Sequence, residues 1–354
     1  NKIIFISFIN LFYIKMKFLV LFLFSLIYCA EKAEVFFTKT ITPERMVDIF
    51  KKLNVELKGN VGLKIHSGEP GGLYFLKPDF LQKIYDYTKG TFIECNTAYG
   101  TTRSSTNAHK ETLKGNGWYD NDRRIVIMDE EPEKDIEFTL SDHNMIGTTY
   151  AGEHLKDYQS CVVLSHFKGH QMGGYGGALK QLSIGFASQR GKTWIHTAGV
   201  TTDWNQMFAN IANQENFTNA MGDAASEIVK YFKEKGQIVY INVLANISKS
   251  CDCAGASAPP PKIKDIGILA STDPVAIDQA CLDLIKKTED EGTEDFLDQV
   301  KKLLGENTIK AAEKLGVGTR QYKLIDIDGN HNNGGSNIFL SLNLLLLGIL
   351  LFCN

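Results

Sequence analysis

The apolar run Cys161-Val-Val-Leu164 empties directly into Ser165-His-Phe-Lys-Gly-His-Gln-Met-Gly-Gly-Tyr-Gly-Gly-Ala-Leu-Lys180, which sets two histidines and two lysines among glycines. A strand ending in glycines and ionisable side chains points to the α/β class, because such sheets present their chemistry at the carboxyl ends of the strands. Glycine lets backbone or ligand approach closely, imidazole exchanges protons near neutral pH, and lysine binds phosphate or forms covalent adducts. Of the eight histidines, seven (His66, His109, His143, His154, His166, His170, His196) fall between Gly62 and His196, and His331 lies in the tail. The segment is therefore the expected binding or active centre. The plainer alternative is a glycine-rich loop with structurally satisfied histidines.

Around this segment strands and helices alternate. Thr42-Pro-Glu-Arg45 opens an amphipathic helix to about Leu53, and Val61 to Ile65 reads as a buried strand ending at His66-Ser-Gly-Glu-Pro-Gly-Gly72. A helix from Lys77 to about Thr88 leads to the strand Thr91 to Cys95, which opens into Asn96 to Arg103. A helix over Asn107 to Lys114, the strand Arg124 to Met128 and the strand Gln159 to Leu164 follow. Downstream come a helix over Ala220 to Lys235, strands at Gln237 to Leu244 and Ile266 to Ala270, and a final strand at Gln321 to Ile327. Between them, Ser271-Thr-Asp-Pro274 is a capped helix start with Asp273 as the cap, and Asp278 is expected to face the site. The fold expected is α/β, a mostly parallel sheet with helices on both faces and glycine-rich loops at the carboxyl ends of strands forming the site.

The two ends read differently from the middle. Residues 1–15 read as a mis-started leader, and Met16-Lys-Phe-Leu-Val-Leu-Phe-Leu-Phe-Ser-Leu-Ile-Tyr-Cys29 as a secretory signal peptide. A signal anchor is the alternative, but Lys15 and Lys17 interrupt the apolar stretch. Residues 328–354 combine a polar spacer with an apolar tail, the pattern of a glycosylphosphatidylinositol attachment signal, with Asp328, Gly329 or Asn330 as the attachment site. A tail-anchored helix is the alternative there. The expectation is a secreted, membrane-anchored surface protein whose single domain spans residues 30–327, with glycosylation sequons at Asn216 and Asn246.

A formal net charge of -3 and the lack of a basic stripe with interleaved aromatics argue against a nucleic-acid partner. Outside the two end segments five cysteines remain, Cys95, Cys161, Cys251, Cys253 and Cys281, an odd number that does not make a disulfide framework. Cys251-Asp-Cys253 reads either as a soft-metal or redox pair or as packed thiols.

Val61 to Glu69, Ser165 to Lys180, Ala187-Ser-Gln-Arg-Gly-Lys192, Tyr240 to Leu244, Cys251-Asp-Cys253 and Asp265 to Asp278 together resemble the domain of unknown function 362 family, whose bacterial members are often labelled iron–sulfur centre or ferredoxin-like proteins. Relatives with clusters carry a four-cysteine run after the segment equivalent to Lys192 to His196. This chain has no cysteine between Cys161 and Cys251, so no 4Fe–4S cluster is expected. A more distant likeness is to the amino-terminal domain of the nickel-pincer lactate racemase family. By order and spacing that likeness implies His109 and His170 for proton transfer, Lys180 for a nucleotide-derived cofactor and His196 for a divalent transition metal such as nickel.

The residues themselves suggest a site of Lys64, His66, Arg103, His109, His166, His170, Lys180 and His196 converging in one cleft. There the lysines and arginine hold a small anionic substrate while a histidine pair moves protons. The competing expectation is a non-catalytic surface binding or adhesion protein on the same scaffold.

Overall fold

The computed structural model describes residues 32–100, 102–131, 134–250 and 252–329. Among them, twelve strands form in chain order: β1 (Ala33–Thr38), β2 (Val61–Lys64), β3 (Thr91–Glu94), β4 (Ile125–Ile127), β5 (Ile136–Thr139), β6 (Thr148–Ala151), β7 (Ser160–His166), β8 (Lys168–His170), β9 (Gly174–Gly176), β10 (Gln237–Leu244), β11 (Gly267–Ser271) and β12 (Tyr322–Asp326). Eight make the central sheet, in the order β12-β1-β11-β10-β7-β2-β3-β4, while β5 pairs with β6 and β8 with β9 as separate hairpins.

Alternation of side chains across this sheet builds a core on each face. In β10, Val239, Ile241 and Val243 point to one core with Leu63, Phe92, Val162 and Leu164, whereas Ile238, Tyr240 and Leu244 point to the other with Ile93, Cys161 and Val163. The first face is covered by helices α1 (Pro43–Lys52), α2 (Pro78–Thr88) and α3 (Thr106–Gly115). The second carries the short α4 (Ala178–Lys180), which continues as a π-helical turn through Gly185, and four longer helices in chain order. Those are α6 (Gln214–Lys235), α7 (Pro274–Ile285), α8 (Thr293–Lys302) and α9 (Gly305–Lys314), with α5 (Gln189–His196) beside the amino-terminal end of α6.

Helix starts follow the capping rules. Thr42, Ser105, Ser188, Asn213 and Asp273 each accept a backbone N–H one turn on, and Pro43 and Pro274 occupy the first helical turn where a missing N–H costs nothing.

The expected α/β architecture is present, with seven strands of the large sheet sharing one direction. The exception is β11, which runs antiparallel to both β10 and β1. A parallel return needs a crossover element. Between Leu244 and Gly267 the described residues form a 3-10 turn at Asp252–Ser257 and a single β-bridge between Ile247 and Ile263, and the chain doubles back. The segment expected to be one glycine loop is a β8–β9 hairpin followed by α4, and α6 begins at Gln214, ahead of the expected Ala220. Both ends as read above, residues 1–31 and 330–354 with Asn330, lie outside the described residues, as do Cys251 and the side chain of Cys253.

Close helix packing sets one sharp constraint. A Cβ on Gly222 of α6 would lie 2.6 Å from the Ala311 Cβ and 3.1 Å from the α9 backbone. In an unpacked helix Gly→Ala adds roughly 1 kcal/mol of stability. Here Gly222→Ala should instead lower the unfolding free energy by about 1–3 kcal/mol through overpacking, as urea denaturation would measure.

Candidate functional site

Because β7, β2 and β3 are adjacent and parallel, their carboxyl ends open along one sheet edge. There a cleft of about 280 Å³ is lined by residues from five places: the ends of these strands with the loops that follow them, the β8–β9 hairpin, α4 with the turn after it, α5, and Phe208 of the loop after α5.

A buried ladder of alternating charge forms the floor. Lys64 points to the face of the sheet opposite Leu63 and Ile65, is fully buried, and pairs with the Glu94 carboxylate at the end of β3. The other Glu94 oxygen accepts from Arg103 Nη1 at 3.1 Å, and Arg103 Nη2 and Nε both donate to Glu69 Oε1 at 2.7 and 3.0 Å. All four side chains are buried. Burial pushes the Glu94 carboxyl up, but Lys64, His66, Arg103 and His109 together outweigh it and bring Glu94 down to about 2. His66 follows β2, and its Nδ1 accepts from the Gly68 N–H at 3.1 Å. Gly68 has φ +80, and a Cβ there would lie 2.4 Å from the Phe75 ring, so this turn requires glycine.

A second buried carboxylate organises the end of β7. Asp252, from the loop after β10, lies 3.0 Å from His166 Nδ1 and 2.9 Å from Lys168 Nζ. His166 Nε2 lies 2.7 Å from the Ala245 carbonyl. Both ring nitrogens thus face acceptors, an arrangement only the doubly protonated ring satisfies fully. Burial acts against the Asp252 carboxylate, yet His166 and Lys168 hold it well below the usual carboxylate range.

The third wall comes from α4 and α5. Asp278 of α7 accepts from the Ala178 and Leu179 N–H groups at 2.8 and 2.9 Å, from Asn242 Nδ2 at 2.7 Å and from Tyr175 Oη at 3.2 Å. Burial is the largest influence and raises Asp278 to about 6 despite these donors. This carboxylate pins the start of α4 and so places Lys180 on the cleft wall. A Cβ on Gly177 would lie 2.5 Å from Asp278 Oδ1, so glycine is what lets the helix start approach. On α5, Lys192 Nζ donates to the Ala187 carbonyl and His196 Nδ1 donates to the Lys192 carbonyl at 2.7 Å.

These contacts fix complementary tautomers. With Nδ1 protonated, the neutral His196 ring carries its lone pair on Nε2. His170 is the reverse: its Nδ1 accepts from the Gly173 N–H at 2.9 Å and the Met172 N–H at 3.3 Å, so Nε2 carries the hydrogen.

Of the residues singled out from sequence, His66, Arg103, His166, His170, Lys180 and His196 line the cleft. Lys64 lies beneath it and acts on it through Glu94. His109 is not brought into it: on α3, fully buried, it donates from Nδ1 to Asn96 Oδ1 at 3.0 Å and accepts at Nε2 from Ser67 Oγ at 3.3 Å. Burial, with Arg103, brings its pKa down to about 3, so the ring is neutral and both nitrogens are engaged. Asp278 caps a helix start and does not line the cleft.

Sequence reading missed Glu94, Lys192 and Asp252, and it placed Lys168 in the expected central segment without giving it a role of its own. A carboxylate inside the apolar strand Thr91-Phe-Ile-Glu94 was the available signal for the first. Asp252 was overshadowed by its flanking cysteines.

Among the described residues no group of three or more His, Cys, Asp or Glu is arranged to hold a metal ion. Cys95, Cys161 and Cys281 are buried free thiols, all pushed up by burial, Cys161 to about 12. Asn246 is exposed, Asn216 sits half-buried in the first turn of α6, and the Asp328 carboxylate accepts from Thr38 Oγ1 and pairs with Arg45.

A mostly parallel α/β sheet with a basic, histidine-lined cleft at its carboxyl edge defines the class. The chain belongs to the family described as Domain of unknown function (DUF362), whose model matches residues 61–283. No curated protein matches it by sequence. Among solved structures it is similar to the lactate racemase apoprotein of Thermoanaerobacterium thermosaccharolyticum, at 13% identity and a TM-score of 0.40, over 70% of this chain and 56% of that one. It is also similar to a protein from Thermotoga maritima, at 15% identity and a TM-score of 0.39, over 77% of this chain and 58% of that one. The chain thus spans little more than half the length of either.

Glu94→Gln would leave Lys64 buried beside a neutral amide, which should cost roughly 3–5 kcal/mol. Because the folded-state pKa of Glu94 is depressed, its contribution is fully present above about pH 4.5 and is lost as pH falls through about 2. Urea denaturation at pH 7 should give that loss, and repeated between pH 3 and 7 it should show less acid dependence for the variant than for the parent protein.

Proposed function

We propose that the protein is an acid–base enzyme acting on a small anionic substrate, one that bears a carboxylate or phosphate. The observation that carries this reading is the convergence of Arg103, Lys168, Lys180 and Lys192 with four histidines in one cleft of about 280 Å³. Lysine and arginine donors favour an anion through charge-assisted hydrogen bonds, strengthened where burial lowers the local dielectric.

Within that cleft the tautomers suggest a division of labour. Neutral His196, with Nδ1 donating to the Lys192 carbonyl, carries its lone pair on Nε2, the tautomer of a general base, and neutral His170, with Nδ1 accepting, carries its hydrogen on Nε2, the tautomer of a donor or acid. His166 is engaged on both nitrogens and serves to orient Asp252 and Lys168. The described residues supply no three-donor metal set, so no step is assigned to a metal.

We also propose that the domain is exported and held at a cell surface, on the apolar segments at the two ends described above. Among the described residues no helix is long and apolar enough to cross a membrane.

Calorimetric titration with phosphate and a panel of small 2-hydroxy acids, together with solvent deuterium exchange followed by NMR, tests the enzymatic reading. Lys180→Met should weaken binding by about 10- to 100-fold, the loss of a charge-assisted hydrogen bond. His170→Gln and His196→Gln should abolish exchange while changing affinity only a few-fold. If no small anion binds, or if binding is indifferent to Lys180, the competing surface-binding reading replaces this one.

A further inference from the structure

We infer that the ligand of this cleft is amphiphilic, an anionic head joined to an acyl or aryl tail, and that the loop Thr197–Ala212 forms the lip on which the tail lies. The inference rests on the anionic-cleft reading and adds a substrate class to it.

The loop leaves α5 directly after His196 and is closed at its base. The Ala212 N–H donates to the His196 carbonyl at 3.0 Å, and Thr197 Oγ1 exchanges hydrogen bonds with Thr201, donating to its carbonyl at 3.1 Å and accepting from its N–H at 3.2 Å. Met207 is fully buried and anchors the middle. A compact surface loop with joined ends is a recurrent carrier of function.

What this loop displays is unusual for a surface. Val200, Trp204, Phe208 and Ile211 are 66, 40, 65 and 41% exposed. One exposed apolar residue needs no explanation, but four on a single loop beside a cleft mark a binding surface.

Phe208 joins this surface to the cleft. It lines the cavity and faces Tyr99 across the mouth, ring centroids 6.5 Å apart at 56°. Met172 and Ile184 add apolar lining to the same cleft, and Lys168, Lys180 and Lys192 line it as well. The cavity, at about 280 Å³, falls at or below the lower end of pockets that enclose a drug-sized ligand, roughly 300–1,000 Å³. It therefore has room for a head group, and a longer ligand would emerge past Phe208 onto the loop.

Calorimetric titration of the purified protein with propanoate, octanoate, 3-phenylpropanoate and octyl phosphate tests this. The tailed ligands should bind at least about tenfold tighter than propanoate, and Phe208→Ala should erase most of that increment, weakening octanoate binding several-fold more than propanoate binding. Equal affinity for tailed and tail-less acids overturns the inference and leaves the anionic cleft standing. An increment that survives both Phe208→Ala and Trp204→Ala also overturns it, because the tail then lies elsewhere. Loss of all binding, or binding indifferent to Lys180→Met, removes the anionic cleft itself and the inference with it. Flotation with phosphatidic acid vesicles separates the two sources of such a ligand. Phe208-dependent vesicle binding identifies a membrane lipid, and binding of soluble octyl phosphate without vesicle binding identifies a free amphiphile; either supports the inference.

Discussion

The ladder Lys64, Glu94, Arg103 and Glu69 is the interaction on which the candidate site depends. Each of these charges would be expensive to bury alone, and each is tolerable only because opposite charges flank it with hydrogen-bonding geometry. The ladder ties the end of β2 to the end of β3 and then to the loop that carries Arg103. Three backbone segments are thereby held in register at the edge where the cleft opens. A hydrophobic replacement could supply comparable stability, but it would not place a guanidinium on the cleft floor.

Two further buried carboxylates do parallel work. Asp252 reaches from the loop after β10 to orient His166 and Lys168, and Asp278 reaches from α7 to hold the start of α4. The two differ in how their charge is compensated. Asp252 faces the Lys168 ammonium and the His166 imidazole and is held well below the usual carboxylate range, whereas Asp278 faces only neutral donors and is raised to about 6. Compensation by full charges overcomes desolvation; compensation by dipoles alone does not. The cleft thus combines a firmly ionised support under its histidine and lysine with a softer one under the helix that presents Lys180.

Glycine makes these approaches possible at a few defined points. Gly177 lets the Asp278 carboxylate meet the α4 backbone, and Gly169 lets the hairpin lie against Lys249, whose carbonyl would be 2.2 Å from a Cβ there. The glycines of this segment therefore serve close packing as much as ligand access. Beyond them the loop after α5 exposes Val200, Trp204, Phe208 and Ile211, and Phe208 also lines the cleft.

Much of this was legible in the sequence where a local rule operates. Short apolar runs identified seven strands of the central sheet but not β1, Thr42 and Asp273 with their following prolines identified helix starts, and the histidine- and lysine-rich segment after β7 identified one wall of the cleft. His109 shows the limit: its spacing is indistinguishable from that of a site residue, yet the packing of α3 turns it into a neutral core histidine between Ser67 and Asn96. The partners of Lys64, Arg103 and Lys168 were equally hidden, because ion pairs between residues 9 to 84 positions apart depend on strand order, register and loop path. The direction of β11 was hidden for the same reason, since the loop before it is long enough to permit either return and its described residues form a short 3-10 turn in place of a crossover helix. Most element types, the two-faced core and the residue kinds available at the sheet edge are written locally in the chain, since propensity, periodicity and capping act within a few residues. Which charges are buried together, which imidazole nitrogens carry protons and which side chains share the cleft emerge with folding, since those depend on contacts between distant segments that sequence spacing does not encode.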